Sequence, residues 1–147
     1  MSSLNHPAVR EKMTALLRHR ASELRTIGLR YVQRFKVVEA AHNIEELATS
    51  AYFAQMQRPE RILIGLAFGS VGGARAAEVA RRQLGEDWEY VDVERAAPWV
   101  LCLACSGARD AARPLNWLED KRLPGLSSAV TDARNALMMS QSPGARR

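Results

Sequence analysis

At 147 residues, 47% hydrophobic and 25% charged, the chain can bury one core without staples and is too apolar to stay disordered. Two cysteines exclude a disulfide framework, and the longest apolar stretch, Ile62 to Ala74, spans 13 residues with four glycines, too short to cross a bilayer. The net charge of +5 is concentrated: residues 1–36 hold eight Lys/Arg against Glu11 and Glu23, a net of +6, whereas residues 37–147 hold thirteen against fourteen acids, a net of −1.

The first residues, MSSLNHPAVREK, lack a charged region followed by an apolar one, so no secretory signal is read and a cytoplasmic location is expected. Pro7 suits a first helical position, where its missing N–H costs nothing. Val9, Met13, Leu16, Leu17, Leu24 and Ile27 fall within an arc of roughly 100°, which predicts an amphipathic helix over 7–27 with Gly28 as its left-handed cap. Arg10, Arg18 and Arg25 lie on one flank of that helix. Arg20 falls inside the apolar stripe, where it must snorkel, pair with an acid or mark a second interface.

Tyr31, Val32, Phe35, Val37 and Val38 favour a strand over 30–38, with a continuing helix as the alternative. Asn43 followed by Glu46 predicts a capped helix over 43–57, closed by Pro59. The apolar run Ile62 to Phe68, the glycines at 69, 72 and 73 and the alanine-rich stretch Ala74 to Leu84 read as a buried strand over 62–68, a tight turn and a helix over 74–84. Gly65, Gly69, Gly73 and Ala77 are also spaced by four, which in a helix would make a smooth face for another helix. Trp88 to Glu94 alternates and predicts a strand over 89–94, and Pro98 breaks the chain. Trp99 to Cys105, continuously apolar, predicts a strand covered on both faces over 99–105.

A helix follows over 108–120, with Pro114 as a kink or a fresh start, then a turn at Leu123-Pro124-Gly125. Ser127 or Ser128 caps a last helix over 128–139, and the tail from 141 is expected to be disordered. Residues 65–77 and 102–112 echo each other at a spacing of about 35 residues, each reading as strand, glycine turn and a helix opening Ala-Arg. The expected fold is α/β, a small mixed or parallel sheet flanked by helices in a single domain over 1–140. The alternative is a mostly α domain with a short β-hairpin.

Four places could carry function. Backbone N–H groups at Gly69, Ser70, Gly72 and Gly73, with Arg75 nearby, could cradle a phosphate where the turn meets a helix N-terminus. However, the stretch is neither G-x-G-x-x-G nor a P-loop. Cys102 and Cys105 form a C-x-x-C pair with no second pair or histidine motif, which reads as two buried thiols and not as a metal or redox centre. Asp92 and Glu94 could hold a metal or act as a base, or simply form a solvated face; no catalytic motif accompanies them.

The basic N-terminal region is the fourth. Arg10, Arg18, Arg25, Arg30, Arg34 and Lys36 cluster there, with Tyr31 and Phe35 interleaved, a pattern suited to phosphate contacts and base stacking. The expected function is a non-catalytic binding or accessory protein that uses this region on nucleic acid or a protein partner. The alternative is a small nucleotide- or phosphate-binding enzyme built on the glycine turn. No cofactor, metal or membrane partner is called for.

Overall fold

A computed structural model describes residues 3–141. Among them there are seven α-helices and no strand: α1 (Pro7–Ala15), α2 (Ser22–Phe35), α3 (Ala41–Ala48), α4 (Arg58–Leu84), α5 (Val93–Cys105), α6 (Ala112–Asp120) and α7 (Ser127–Gln141). The expected α/β sheet is therefore replaced by an all-helical architecture; the mostly α alternative fits, without its hairpin.

The fold is organised around α4 and α5. α4 starts with Pro59 in its first turn and Glu60 beside it, where a carboxylate complements the helix N-terminus. It reverses at Gly73, whose φ of 54° and ψ of −136° lie outside helical space. Arg61 and Gln83, on either side of that residue, line one cleft. In a straight helix they would stand about 33 Å apart, so the limbs 58–72 and 74–84 fold back on each other. The expected turn at the glycines and helix over 74–84 are thus present, but the stretch before them is helical.

α5 then runs parallel to the first limb in steps of four residues. Glu94 meets Arg58 and Arg61, Pro98 meets Gly65, and Cys102 meets Gly69. A Cβ on Gly65 would lie 2.2 Å from the Pro98 carbonyl oxygen, and one on Gly69 would lie 2.3 Å from that of Cys102. Only glycine allows this approach, so the spacing of four has the packing role that a helical reading gives it. The Cys102 thiol reaches the Ala76 carbonyl oxygen at 3.7 Å, which ties the second limb to the same helix.

The segments 62–68 and 99–105 are helical because they are enveloped. Residues 62–69 and 96–104 are all buried. A helix buried on every side is apolar on every side and has no period that distinguishes it from a covered strand. Pro98 does not break the chain; it sits within α5, where it lacks the N–H that would bond the Glu94 carbonyl four residues earlier. Residues 89–94 form a 3-10 turn, Trp88–Tyr90, followed by the start of α5.

The N-terminal region also differs from expectation. The helix over 7–27 is interrupted by a 3-10 turn at Leu16–Arg18 and extended residues, and α2 absorbs most of the expected strand 30–38. Gly28 is not a cap: it lies buried within α2, and a Cβ there would meet the Met13 carbonyl oxygen at 2.7 Å. Arg25, Gly28, Leu29 and Val32 face inward at helical spacing. The helix expected over 43–57 ends at Ala48, and Phe53–Gln55 form a 3-10 turn.

Near the C-terminus the sequence reading holds more closely. A 3-10 turn at Arg109–Ala111 leads into α6, with Pro114 in its first turn, and α7 covers the last expected helix. Gln141 belongs to α7, and the rest of the expected tail lies outside the described residues. The echo between 65–77 and 102–112 survives as helix, positive-φ glycine (Gly73, Gly107), then Ala-Arg, but not as two strand–helix units.

Candidate functional site

Folding divides the six N-terminal cations among three environments. Arg25 is buried, 6% exposed, against an equally buried Glu60 at the start of α4. Its Nε donates to Glu60 Oε2 at 2.5 Å and its Nη2 to Oε1 at 2.9 Å, while Nη1 donates to the carbonyls of His19 and Arg20. Ser22 Oγ adds a bond to Glu60 Oε1 at 2.7 Å. Burial pushes the Glu60 carboxyl up, but the hydrogen bonds from Arg25 and Ser22 outweigh it and hold the group below its ordinary range. Arg25 is thereby a tie between α2 and α4 and faces no solvent ligand.

Arg10 is pinned by Glu39, with Nε and Nη2 donating at 3.2 and 2.7 Å, and by Asn5 at 2.6 Å. Hydrogen bonding to Glu39 raises the guanidinium pKa and lowers that of the carboxylate. Arg18 is exposed and reaches Asn43 Oδ1 at 3.3 Å. Arg20, expected inside an apolar stripe, instead sits exposed in the break between α1 and α2.

The remaining three, Arg30, Arg34 and Lys36, are exposed and have no acidic partner among the described residues. Glu23, Ile27, Arg30 and Arg34 are spaced 4, 3 and 4 apart and form the outward stripe of α2. Ile27 is 47% exposed on that stripe. Lys36, with a left-handed φ of 52°, caps the helix, so the cations gather where the helix C-terminus favours them. The Arg34 guanidinium lies 5.1 Å from the centroid of the Phe35 ring.

The interleaved aromatics are committed elsewhere. Tyr31 is buried, its hydroxyl donates to the Leu4 carbonyl, and its ring meets that of Phe35 at a tilt of 42°, 4.6 Å between centroids.

The glycine segment serves packing. Gly69 is closed off by Cys102, and a Cβ on Gly72 would meet the Phe68 ring at 2.8 Å. The Ser70 hydroxyl donates to the Leu66 carbonyl. Arg75, its nearest cation, is held by Glu45 through bonds of 3.0 and 2.8 Å. Gly73 itself is open to solvent.

Cys102 and Cys105 lie one turn apart on α5 as free thiols, the first buried and the second partly so. Burial raises both pKa values, that of Cys105 to about 12, which leaves neither a ready thiolate at neutral pH. Glu94 is occupied by Arg58 and Arg61. Asp92 opens α5 without a side-chain capping bond and lines an open cleft of about 420 Å³ with Arg61, Gln83, Arg95, Phe53 and Trp99. Among the described residues, no three His, Cys, Asp or Glu side chains are grouped as a metal site would need.

Sequence reasoning did not find Glu60, the residue that removes Arg25 from the surface. Its position after Pro59 marks a helix start, and nothing local encodes a partner thirty-five residues upstream. Compared with known proteins, the chain matches no family model, no curated protein and no solved structure.

Proposed function

We propose that this chain is a non-catalytic accessory protein that docks through the outward stripe of α2 onto an acidic surface of a protein partner. One observation carries the reading: Arg30, Arg34 and Lys36, exposed and without acidic partners among the described residues, are grouped on the outward side of α2 next to the exposed Ile27, whereas Arg18, also exposed, bonds Asn43 away from that stripe. An apolar side chain flanked by arginines suits a protein interface, where arginine combines charge with contact area. Nucleic acid is the less favoured occupant because the two aromatics of α2 itself are committed, Tyr31 being buried and Phe35 packed against it.

Titrating the isotopically labelled protein with poly-L-glutamate tests the reading. Amide shifts should cluster at residues 27–36 and vanish as salt screens the charges. Shifts centred on residues 10–18 instead, or a preference for duplex DNA that persists at matched charge density, would overturn it.

A further inference from the structure

We infer that Gly73 is a one-residue hinge that selects between the monomer and a domain-swapped dimer of this chain. The segments on both sides of it, the limbs 58–72 and 74–84, are already helical, and the residues after it, Ala74-Arg75-Ala76-Ala77, are strong helix formers. Reversal depends on one backbone conformation, φ 54° and ψ −136°, which glycine alone adopts readily. With Gly73 in helical space, α4 becomes a single rod of about 40 Å and the closed chain cannot form.

Opening the hinge carries the second limb away together with α5, its partner at Ala76 and Cys102, and strands the apolar surface that α5 packs against Gly65 and Gly69 of the first limb. A second copy of this chain is the partner that fits it, because an identical chain presents the same complementary face. The exchanged dimer recovers as interchain contacts those that span the hinge: Arg75 pairs with Glu45 of the other copy, and Pro98 and Cys102 of α5 pack on Gly65 and Gly69 of the other copy. Two straight helices can cross at the hinge because Gly72, Gly73 and Ala74 carry no bulk. The closed state rests on a connection of a single residue, the shortest kind of hinge and the kind most prone to exchange. The dimer also displays two α2 stripes, but the inference does not depend on their function.

Gly73→Ala tests this. The variant should elute at twice the mass of one chain by light scattering, with native helical content, while inserting Gly-Ser-Gly after Gly73 should leave a monomer. Cysteines introduced by Glu45→Cys and Arg75→Cys, joined by a short bismaleimide, distinguish exchange from ordinary association. The crosslink should fall within one chain in the parent and between chains in Gly73→Ala; Cys102 is buried, and the partly exposed Cys105 is replaced by serine in both proteins. A folded, monomeric Gly73→Ala protein, or a dimer whose crosslink remains within one chain, would overturn the inference. If Gly73→Ala aggregates, the wild-type chain refolded at high concentration decides: an exchanged dimer that the insertion variant lacks is expected, and its absence rejects the hinge.

Discussion

Gly69 lies so close to Cys102 that a Cβ on the glycine would stand 2.3 Å from the Cys102 carbonyl oxygen. The backbones of α4 and α5 are in contact there and, one turn earlier, at Gly65 and Pro98. This pair of contacts sets the spacing of the helices that form the core, and most of the remaining fold is built on them.

Gly69→Ala should therefore destabilise the protein beyond a helix-propensity effect, since alanine would improve propensity at an unconstrained site. Forcing the helices apart costs about 1–3 kcal/mol, the usual scale for overpacking. Urea unfolding should show a lower midpoint with an unchanged slope, and Gly65→Ala should behave alike.

Removing either side of the Arg25–Glu60 pair should cost about 3–5 kcal/mol, because the survivor is left buried and charged. Arg25→Ala and Glu60→Ala should each show a fall of that size by chemical denaturation. A joint replacement by apolar residues of similar volume should recover much of it.

The same pair makes stability depend on acid. The Glu60 pKa is lowered in the folded state, so its contribution is present above the unfolded carboxyl value of about 4.3 and is lost as pH falls through the folded value. Thermal melts of the wild type should drop as pH is lowered from about 5 toward 3. Glu60→Gln should start lower at neutral pH and lose less over that window.

Cys102 and Cys105 should react with a thiol reagent at neutral pH at a rate limited by unfolding. Burial raises both pKa values, that of Cys105 to about 12. Adding denaturant should accelerate the reaction steeply. Fast labelling of Cys105 in the folded protein would show that this partly buried thiol is reached without unfolding.

How much of this was legible depends on how each segment meets its surroundings. Helices 74–84, 108–120 and 128–139 have polar faces, and their period marks them. The runs at 62–68 and 99–105 have none because neighbours enclose them, so apolar continuity suggested covered strands. The glycine spacing of four held the corrective signal, and a helix there reconciles it with the turn at Gly73. For the candidate surface, clustering along the chain identified the basic region but not its sorting. Arg25 and Arg10 are neutralised by Glu60 and Glu39, which are brought to them by folding across long sequence separations. Arg18 reaches only the neutral Asn43, and Arg30, Arg34 and Lys36 form the group on α2 that no distant acid reaches among the described residues.

The most direct test of the proposed docking surface compares two charge reversals of equal size. One is Arg30→Glu, Arg34→Glu and Lys36→Glu together; the other is Lys12→Glu, Arg18→Glu and Arg20→Glu together. Affinity for poly-L-glutamate at fixed salt is measured for both. The α2 stripe predicts a loss of roughly tenfold or more, about 1.4 kcal/mol, for the first set and a much smaller loss for the second. Equal losses would mean that net charge alone governs binding, and that result would contradict a docking surface on α2.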